Sequence, residues 1–293
     1  MSRFLDRLLE CARRKDSLLC VGLDVDAERV PEPLRGRGDW VFEFNRGIIE
    51  ATSDLVCAYK PNLAFYEALG SYGIEALIRT MRAMPPDVVV IGDAKRGDVG
   101  HTARAYARAL FEQFGFDAAT VSPYLGRDSV EPFLAYEDRG VFLLCKTSNP
   151  GSGDFQELSC TTPEGAMPLY RVVASRAREW SDGGNLGLVV GATYPEQLRE
   201  VRDLAPELPL LIPGVGAQAG DLEMAVTYGT DPAGERAVIN SSRQVIFASR
   251  GADWRDAARR AAADLRESIE GYRRSKRERA RAGGHGRAQA AGP

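Results

Sequence analysis

Short runs of apolar, often β-branched residues recur along the chain, and the stretches between them repeat their apolar positions with helical spacing. The runs at 17–24, 55–60, 88–93, 118–121, 140–146, 186–190, 208–212 and 237–240 lack the alternation of a half-exposed strand. They predict strands buried on both faces of a parallel sheet. Helical periodicity falls at 1–9, 40–53, 64–84, 99–114, 165–180, 195–205, 220–228 and 253–274. Strands alternating with helices in this number predict an α/β fold, a single-domain (β/α)8 TIM barrel over 1–272 with an N-terminal helix leading into it. A doubly wound open sheet is the main competitor. It would carry a Gly-rich turn after its first strand, and Gly22-Leu23-Asp24 is no dinucleotide fingerprint.

In a barrel the polar residues at the C-terminal strand ends converge on one mouth, here Asp24, Lys60, Asp93, Lys95 and Ser148. The stretch from Val88 to Thr102 is the densest of these ends. Its apolar run stops abruptly at Asp93-Ala94-Lys95-Arg96-Gly97-Asp98. Strand alternation puts Asp93 and Lys95 on one face, with α-carbons about 6.6 Å apart. Gly97 ends the strand, and Asp98 falls where the N-cap of the 99–114 helix is expected. A rim salt bridge and a helix cap are the plain structural account of these charges. That account places an Asp and a Lys on the inward face of a buried strand, which is expensive unless the pair is used.

Two more loops reach the same mouth. Pro213-Gly214-Val215-Gly216-Ala217-Gln218 follows the seventh strand and Asn240-Ser241-Ser242-Arg243 the eighth. Those positions of a barrel bind phosphate through backbone N–H groups, to which an arginine adds a bidentate clamp. The long 147–158 segment, rich in turn residues, is expected to be a mobile cover over the mouth.

Charge and composition narrow the function classes. A net charge of −3 over 293 residues gives no field that would attract nucleic acid or an anionic membrane. No apolar run approaches the length of a membrane span, and the charged N-terminal helix lacks the core of a signal peptide. Five cysteines with no CxxC pair suit reduced thiols, and a cytoplasmic location is the expectation. With His101 and His285 as the only histidines, no metal site is expected. The stretch 273–293 is basic, then Gly/Ala-rich, and is expected to be a disordered tail.

The Asp93-Ala94-Lys95-Arg96-Gly97-Asp98 motif, with Thr102 beyond it, resembles the DxKxxD signature of the orotidine 5'-phosphate decarboxylase family. Gly22-Leu23-Asp24, Tyr59-Lys60-Pro61-Asn62, the 213–218 loop and Ser241-Ser242-Arg243 support the resemblance in the right order. Lys146-Thr147-Ser148-Asn149-Pro150-Gly151-Ser152 resembles the longer, bacterial type 2 branch. The resemblance implies decarboxylation of orotidine 5'-phosphate to UMP and CO2, in pyrimidine biosynthesis, without a cofactor. It implies catalytic roles for Lys95, Asp93, Asp98 and Lys60, with Lys95 as proton donor to C6. Substrate-binding roles are implied for Asp24, Thr102, Ser148, Pro213, Gln218 and Arg243, with Thr147 or Ser148 meeting the pyrimidine. It also implies a homodimer in which Asp98 and Thr102 enter the partner's site. The alternatives are a Mg2+-dependent sugar-phosphate decarboxylase or aldolase of the same superfamily, and a barrel that binds nucleotide without turnover.

Overall fold

The computed structural model describes residues 3–215 and 221–289. In chain order its elements begin with α1 (Arg3–Lys15), β1 (Leu19–Gly22), α2 (Trp40–Thr52), β2 (Ala58–Lys60), α3 (Leu63–Glu67), α4 (Gly70–Arg82) and β3 (Val89–Arg96). Then come α5 (Gly100–Arg108), β4 (Ala118–Val121), α6 (Arg127–Leu134), β5 (Gly140–Lys146), α7 (Gly153–Gln156), β6 (Ser159–Thr162), β7 (Gly165–Pro168) and α8 (Leu169–Trp180). The remainder is β8 (Leu186–Val190), α9 (Pro195–Leu204), β9 (Leu210–Ile212), α10 (Leu222–Gly229), β10 (Ala237–Ser241), α11 (Arg243–Ile246) and α12 (Trp254–Gln289).

Each apolar run forms a parallel strand, and the strands close into a barrel in the order β1, β2, β3, β4, β5, β8, β9, β10. Closure comes from pairing of the first strand with the last, Leu19 opposite Ile239. β1, β4, β8 and β9 are buried at every position, as strands covered on both faces must be. The N-terminal helix α1 packs under the barrel. Its Phe4 ring fills the space a side chain at Gly140 would occupy and meets Phe142 edge-on at 6.1 Å. Cys11 donates to the carbonyls of Cys57 and Asp87, just ahead of β2 and β3. The lower end is thus sealed, and the C-terminal strand ends remain for chemistry.

Four expectations need correction. The helix expected over 64–84 is two helices, because Gly70 takes a left-handed φ of 62° between them. The helix expected from Gly165 begins at Leu169; residues 159–168 instead form the antiparallel hairpin β6–β7, and Pro168 ends it at the helix entrance. The helix of 99–114 starts at Gly100 and widens into a π-helical turn over Ala109–Gln113. The tail expected from 273 is helical, since α12 continues to Gln289. Leu265, Ile269 and Arg273 carry one buried stripe along α12. Arg273 can occupy it because Glu270 chelates its guanidinium at 2.5 and 2.6 Å and the Gly234 carbonyl accepts a third bond. Lys276 continues the docking, donating to the carbonyls of Thr227 and Thr230.

Arg202 performs a similar role between α9 and the strands beside it. Its buried guanidinium donates to the carbonyls of Gly229, Ala205, Pro206, Leu208 and Arg236. The Arg236 and Ala205 carbonyls also accept from the Leu210 and Leu208 N–H groups, whereas those of Gly229, Pro206 and Leu208 lie at helix ends and ahead of strands and depend on the arginine. An Arg202→Leu substitution removes that donor from all five, and chemical denaturation should show a loss of about 3 kcal/mol. A change under about 0.5 kcal/mol, the range of ordinary surface substitutions, would remove Arg202 from this role.

Candidate active site

β3 carries the centre of the mouth. Its residues Val89 to Gly92 are buried apolar strand, and at Asp93 the backbone N–H still bonds the Pro61 carbonyl beyond β2. Parallel pairing of β2 with β3 therefore brings Lys60 beside Asp93. Lys60 Nζ lies 2.8 Å from Asp93 Oδ2, and Lys95 Nζ lies 2.5 Å from Asp93 Oδ1. Lys60 is only 4% exposed, whereas the Lys95 side chain is 49% exposed.

Asp93 and Lys95 do meet, but simple strand alternation is not the cause. Lys95 has a left-handed backbone, φ 48°, and the pairing of β3 with β4 shifts register between Gly92 and Arg96. A β-bulge re-aims a side chain in this way, and a left-handed conformation in a non-glycine residue needs support from its surroundings. Thr120 of β4 supplies it. Its buried hydroxyl accepts from the N–H groups of Ala94 and Lys95 at 3.1 and 2.9 Å and donates to Asp93 Oδ1 at 3.0 Å. One donor and two acceptor positions use the hydroxyl fully. Thr120 was not expected; the signal was a single polar residue in the apolar run Ala118–Val121.

Burial by itself would raise the Asp93 carboxyl, but the ammonium groups of Lys60 and Lys95 outweigh it and hold it well below the usual carboxylate range. Burial would likewise lower Lys60, and Asp93 and Asp24 outweigh that effect and raise it. Asp93 and Lys60 are therefore both charged throughout the neutral range.

A cavity of about 350 Å³ opens over this array. It brings together Lys60, Asp93, Lys95, Ser148 and Pro213 from the expected set, with Thr120, Thr147, Asn149 and the apolar Leu144, Val189 and Leu211. Ser148 is pressed against Gly191, where even a methyl group would come within 2.7 Å of the serine Cβ. The Thr147 hydroxyl is occupied, donating to Asn149 Oδ1 and accepting from Gln156 Nε2. The Ser148 hydroxyl has no protein partner among the described residues.

Other expected residues lie apart from this cavity. Asp24 follows β1, and its buried Oδ1 has no hydrogen-bond partner among the described residues, nor do Asn240 Oδ1 and Ser241 Oγ at the end of the neighbouring β10. Arg243 opens α11 just beyond them and is exposed. Gln218 and Gly216 lie outside the described residues. Asp98 does not cap α5: the N-cap is Val99, and Asp98 Oδ1 accepts from the Val99 N–H instead. Neither Asp98 nor Thr102 lines the cavity of its own barrel.

The pairing of Asp93 has a pH signature. Its folded-state value is depressed, so its ionisation contributes stability that is present above the unfolded value and lost as pH falls through the folded one. Asp93→Asn leaves two ammonium groups around a neutral amide and should cost about 3 kcal/mol at pH 7. The gap to the unsubstituted chain should narrow below about pH 4. Denaturant unfolding across that range checks it, and a gap that does not change with pH would contradict the assignment.

The profile of the Orotidine 5'-phosphate decarboxylase / HUMPS family matches residues 17–261. A Dehalococcoides mccartyi protein named orotidine 5'-phosphate decarboxylase is 49% identical over 272 residues, which span 93% of this chain and 99% of that one. Among solved structures, the Leishmania donovani OMP decarboxylase superposes with a TM-score of 0.80 at 43% identity, covering 93% of this chain and 99% of that one. A Toxoplasma gondii structure described as a putative orotidine-monophosphate-decarboxylase superposes with a TM-score of 0.85 at 39% identity, covering 94% and 98%. With a barrel of the same architecture and a match of this extent, the chain belongs to the Orotidine 5'-phosphate decarboxylase / HUMPS family.

Proposed function

We propose that this chain decarboxylates orotidine 5'-phosphate to UMP and CO2, with the Lys60, Asp93 and Lys95 array as its chemical centre. The observation that carries the reading is alternating fixed charge beneath a cavity whose wall combines the apolar Leu144, Val189 and Leu211 with the polar Thr147, Ser148 and Asn149. In the reaction the bond from C6 to the carboxylate breaks heterolytically and CO2 leaves. The electron pair stays in the ring plane at C6, where the ring carbonyls cannot accept it. Fixed charge in a low-dielectric site is the remedy the residues offer. Lys95 places a cation beside C6 and transfers an N–H proton to it, giving UMP and a neutral amine that solvent reprotonates.

Asp93 holds both lysines and lies towards the substrate carboxylate. Lys60 and Asp24 bind the ribose hydroxyls, consistent with the unpartnered Asp24 Oδ1. Ser148, whose hydroxyl is uncommitted, is a better pyrimidine contact than Thr147. Arg243, Gln218 and Pro213 receive the phosphate, and binding energy gained there can be used to organise the site for the transition state.

The working unit in this reading is a homodimer with shared sites. Phe65, Val99, Tyr106, Tyr124 and Leu125 are exposed, Tyr124 to 81%, and all follow β2, β3 or β4 at the mouth. Several large apolar side chains exposed on neighbouring connections support an interaction surface there. Asp98 and Thr102 lie in the same region, so the partner's Asp98 would complete the charge array around Lys95. No described helix is long and apolar enough to cross a membrane, and all five cysteines are free thiols, which suits a cytoplasmic enzyme.

Orotate absorbance in excess chelator tests the reaction. The unsubstituted chain should consume orotidine 5'-phosphate, and Lys95→Ala should fold normally yet lose at least about 10⁴-fold in turnover. Activity restored only by Mg2+ and a sugar phosphate would point to the sister enzymes instead. Mixing Lys95→Ala with Asp98→Ala chains tests the shared site. Random pairing leaves one intact site in each mixed dimer, so about a quarter of full activity should return from two inactive preparations. No recovery despite mixed-dimer formation would place Asp98 outside the partner's site.

A further inference from the structure

Lys146, at the end of β5, is a fully buried cation that the proposed chemistry does not use. Its Nζ donates to Ser152 Oγ at 2.8 Å, lies 2.9 Å from Glu157 Oε1 and sits 4.0 Å from the centre of the Tyr194 ring. Two of these partners belong to the segment that turns back over the mouth, and Tyr194 follows β8 across from it. The bonds continue from there: Ser152 Oγ donates to Tyr194 Oη, which donates to the Asn149 carbonyl. Asn149 and Ser148 line the cavity.

The other ties on this segment are polar. Phe155 and Leu158 are exposed, so apolar burial contributes weakly; the remaining bonds include the pair between Gln156 and Thr147, Thr193 Oγ1 to the Ser148 carbonyl and the Leu169 N–H to the Leu158 carbonyl. A buried charge is a poor choice if stability alone were needed, because well-packed apolar side chains do as well or better. Its distinctive property is direction, since an ammonium without its acceptors is strongly penalised and only one folding of the segment supplies them.

We propose that Lys146 is a positioning residue for the pyrimidine: its ammonium draws Ser152 and Glu157 inward, and the segment between them holds Ser148 and Asn149 at the cavity wall before substrate arrives. The role rests on the reading that this cavity takes the base of a pyrimidine nucleotide. Glu157 is 47% exposed and serves as the outer half of the latch, so it can be altered without disturbing the barrel.

The test compares two ligands by calorimetry, UMP and ribose 5-phosphate, which share the ribose phosphate and differ in the base. Lys146→Met should weaken UMP about tenfold, the worth of one misplaced hydrogen-bonding group, and leave ribose 5-phosphate within about twofold. Amide hydrogen exchange over 147–157 should quicken in the same variant. Glu157→Ala should show the same selective loss to a smaller degree, and Glu157→Gln, which keeps the acceptor, should restore most of it. Glu157→Ala also keeps the question answerable if Lys146→Met does not fold. Equal weakening of both ligands, or of neither, overturns the proposal while leaving the decarboxylase reading intact. An unsubstituted chain that binds ribose 5-phosphate but neither binds UMP nor turns over orotidine 5'-phosphate overturns that reading and this proposal with it.

Discussion

A single buried carboxylate shared by two ammonium groups constrains the whole upper end of this barrel. Asp93 lies in a strand whose earlier residues are fully enclosed, so its charge survives only while Lys60 and Lys95 stay within hydrogen-bonding distance. Lys60 is delivered by the pairing of β2 with β3, which places Ala58 opposite Val89 and Tyr59 opposite Val90. Lys95 is delivered by a bulge and a left-handed backbone that depend on one hydroxyl from β4. Three neighbouring strands must therefore be in register for the array to exist, and the array in turn penalises any slip of that register.

The lower end of the molecule works by other means. There the fold uses aromatic packing of Phe4 against Phe142 and two buried arginines whose guanidinium groups gather carbonyls at helix ends and turns. Arg202 and Arg273 do for helix ends and turns what water does on the surface, without opening the core to solvent. Stability and chemistry are thereby separated along the barrel axis, and the mouth can carry buried polar atoms such as Asp24 Oδ1, without a partner among the described residues, while the base remains closed.

The barrel was legible because each strand buried on both faces must be an apolar run, and a run ending in a charge marks a strand end. The Lys60, Asp93 and Lys95 cluster was legible for the same reason. The hairpin at 159–168 was not: none of its positions is fully buried, β7 does not alternate, and it packs too little apolar surface to leave a period. Arg273 misled because composition treats an arginine as solvated, whereas its stem continues the buried stripe of Leu265 and Ile269. The left-handed Lys95 and the supporting Thr120 were hidden for a deeper reason. Backbone conformation at a strand end is set by a hydrogen bond from another strand, which no local pattern encodes.

Three lysines end neighbouring parts of the same mouth, and their surroundings assign them different work. Lys60 is enclosed and tied to Asp93, so it can fix charge but cannot readily exchange a proton with solvent. Lys146 is enclosed as well, and its partners are a hydroxyl, a half-exposed carboxylate and a ring, carried by the segments that follow β5 and β8. Lys95 alone is anchored on one side by Asp93 and open on the other. In the proposed reaction a proton donor must both reach the substrate and be recharged after each turnover, two demands that a half-open position can meet. The residue of the three held in a left-handed backbone conformation is thus also the one whose side chain is half exposed.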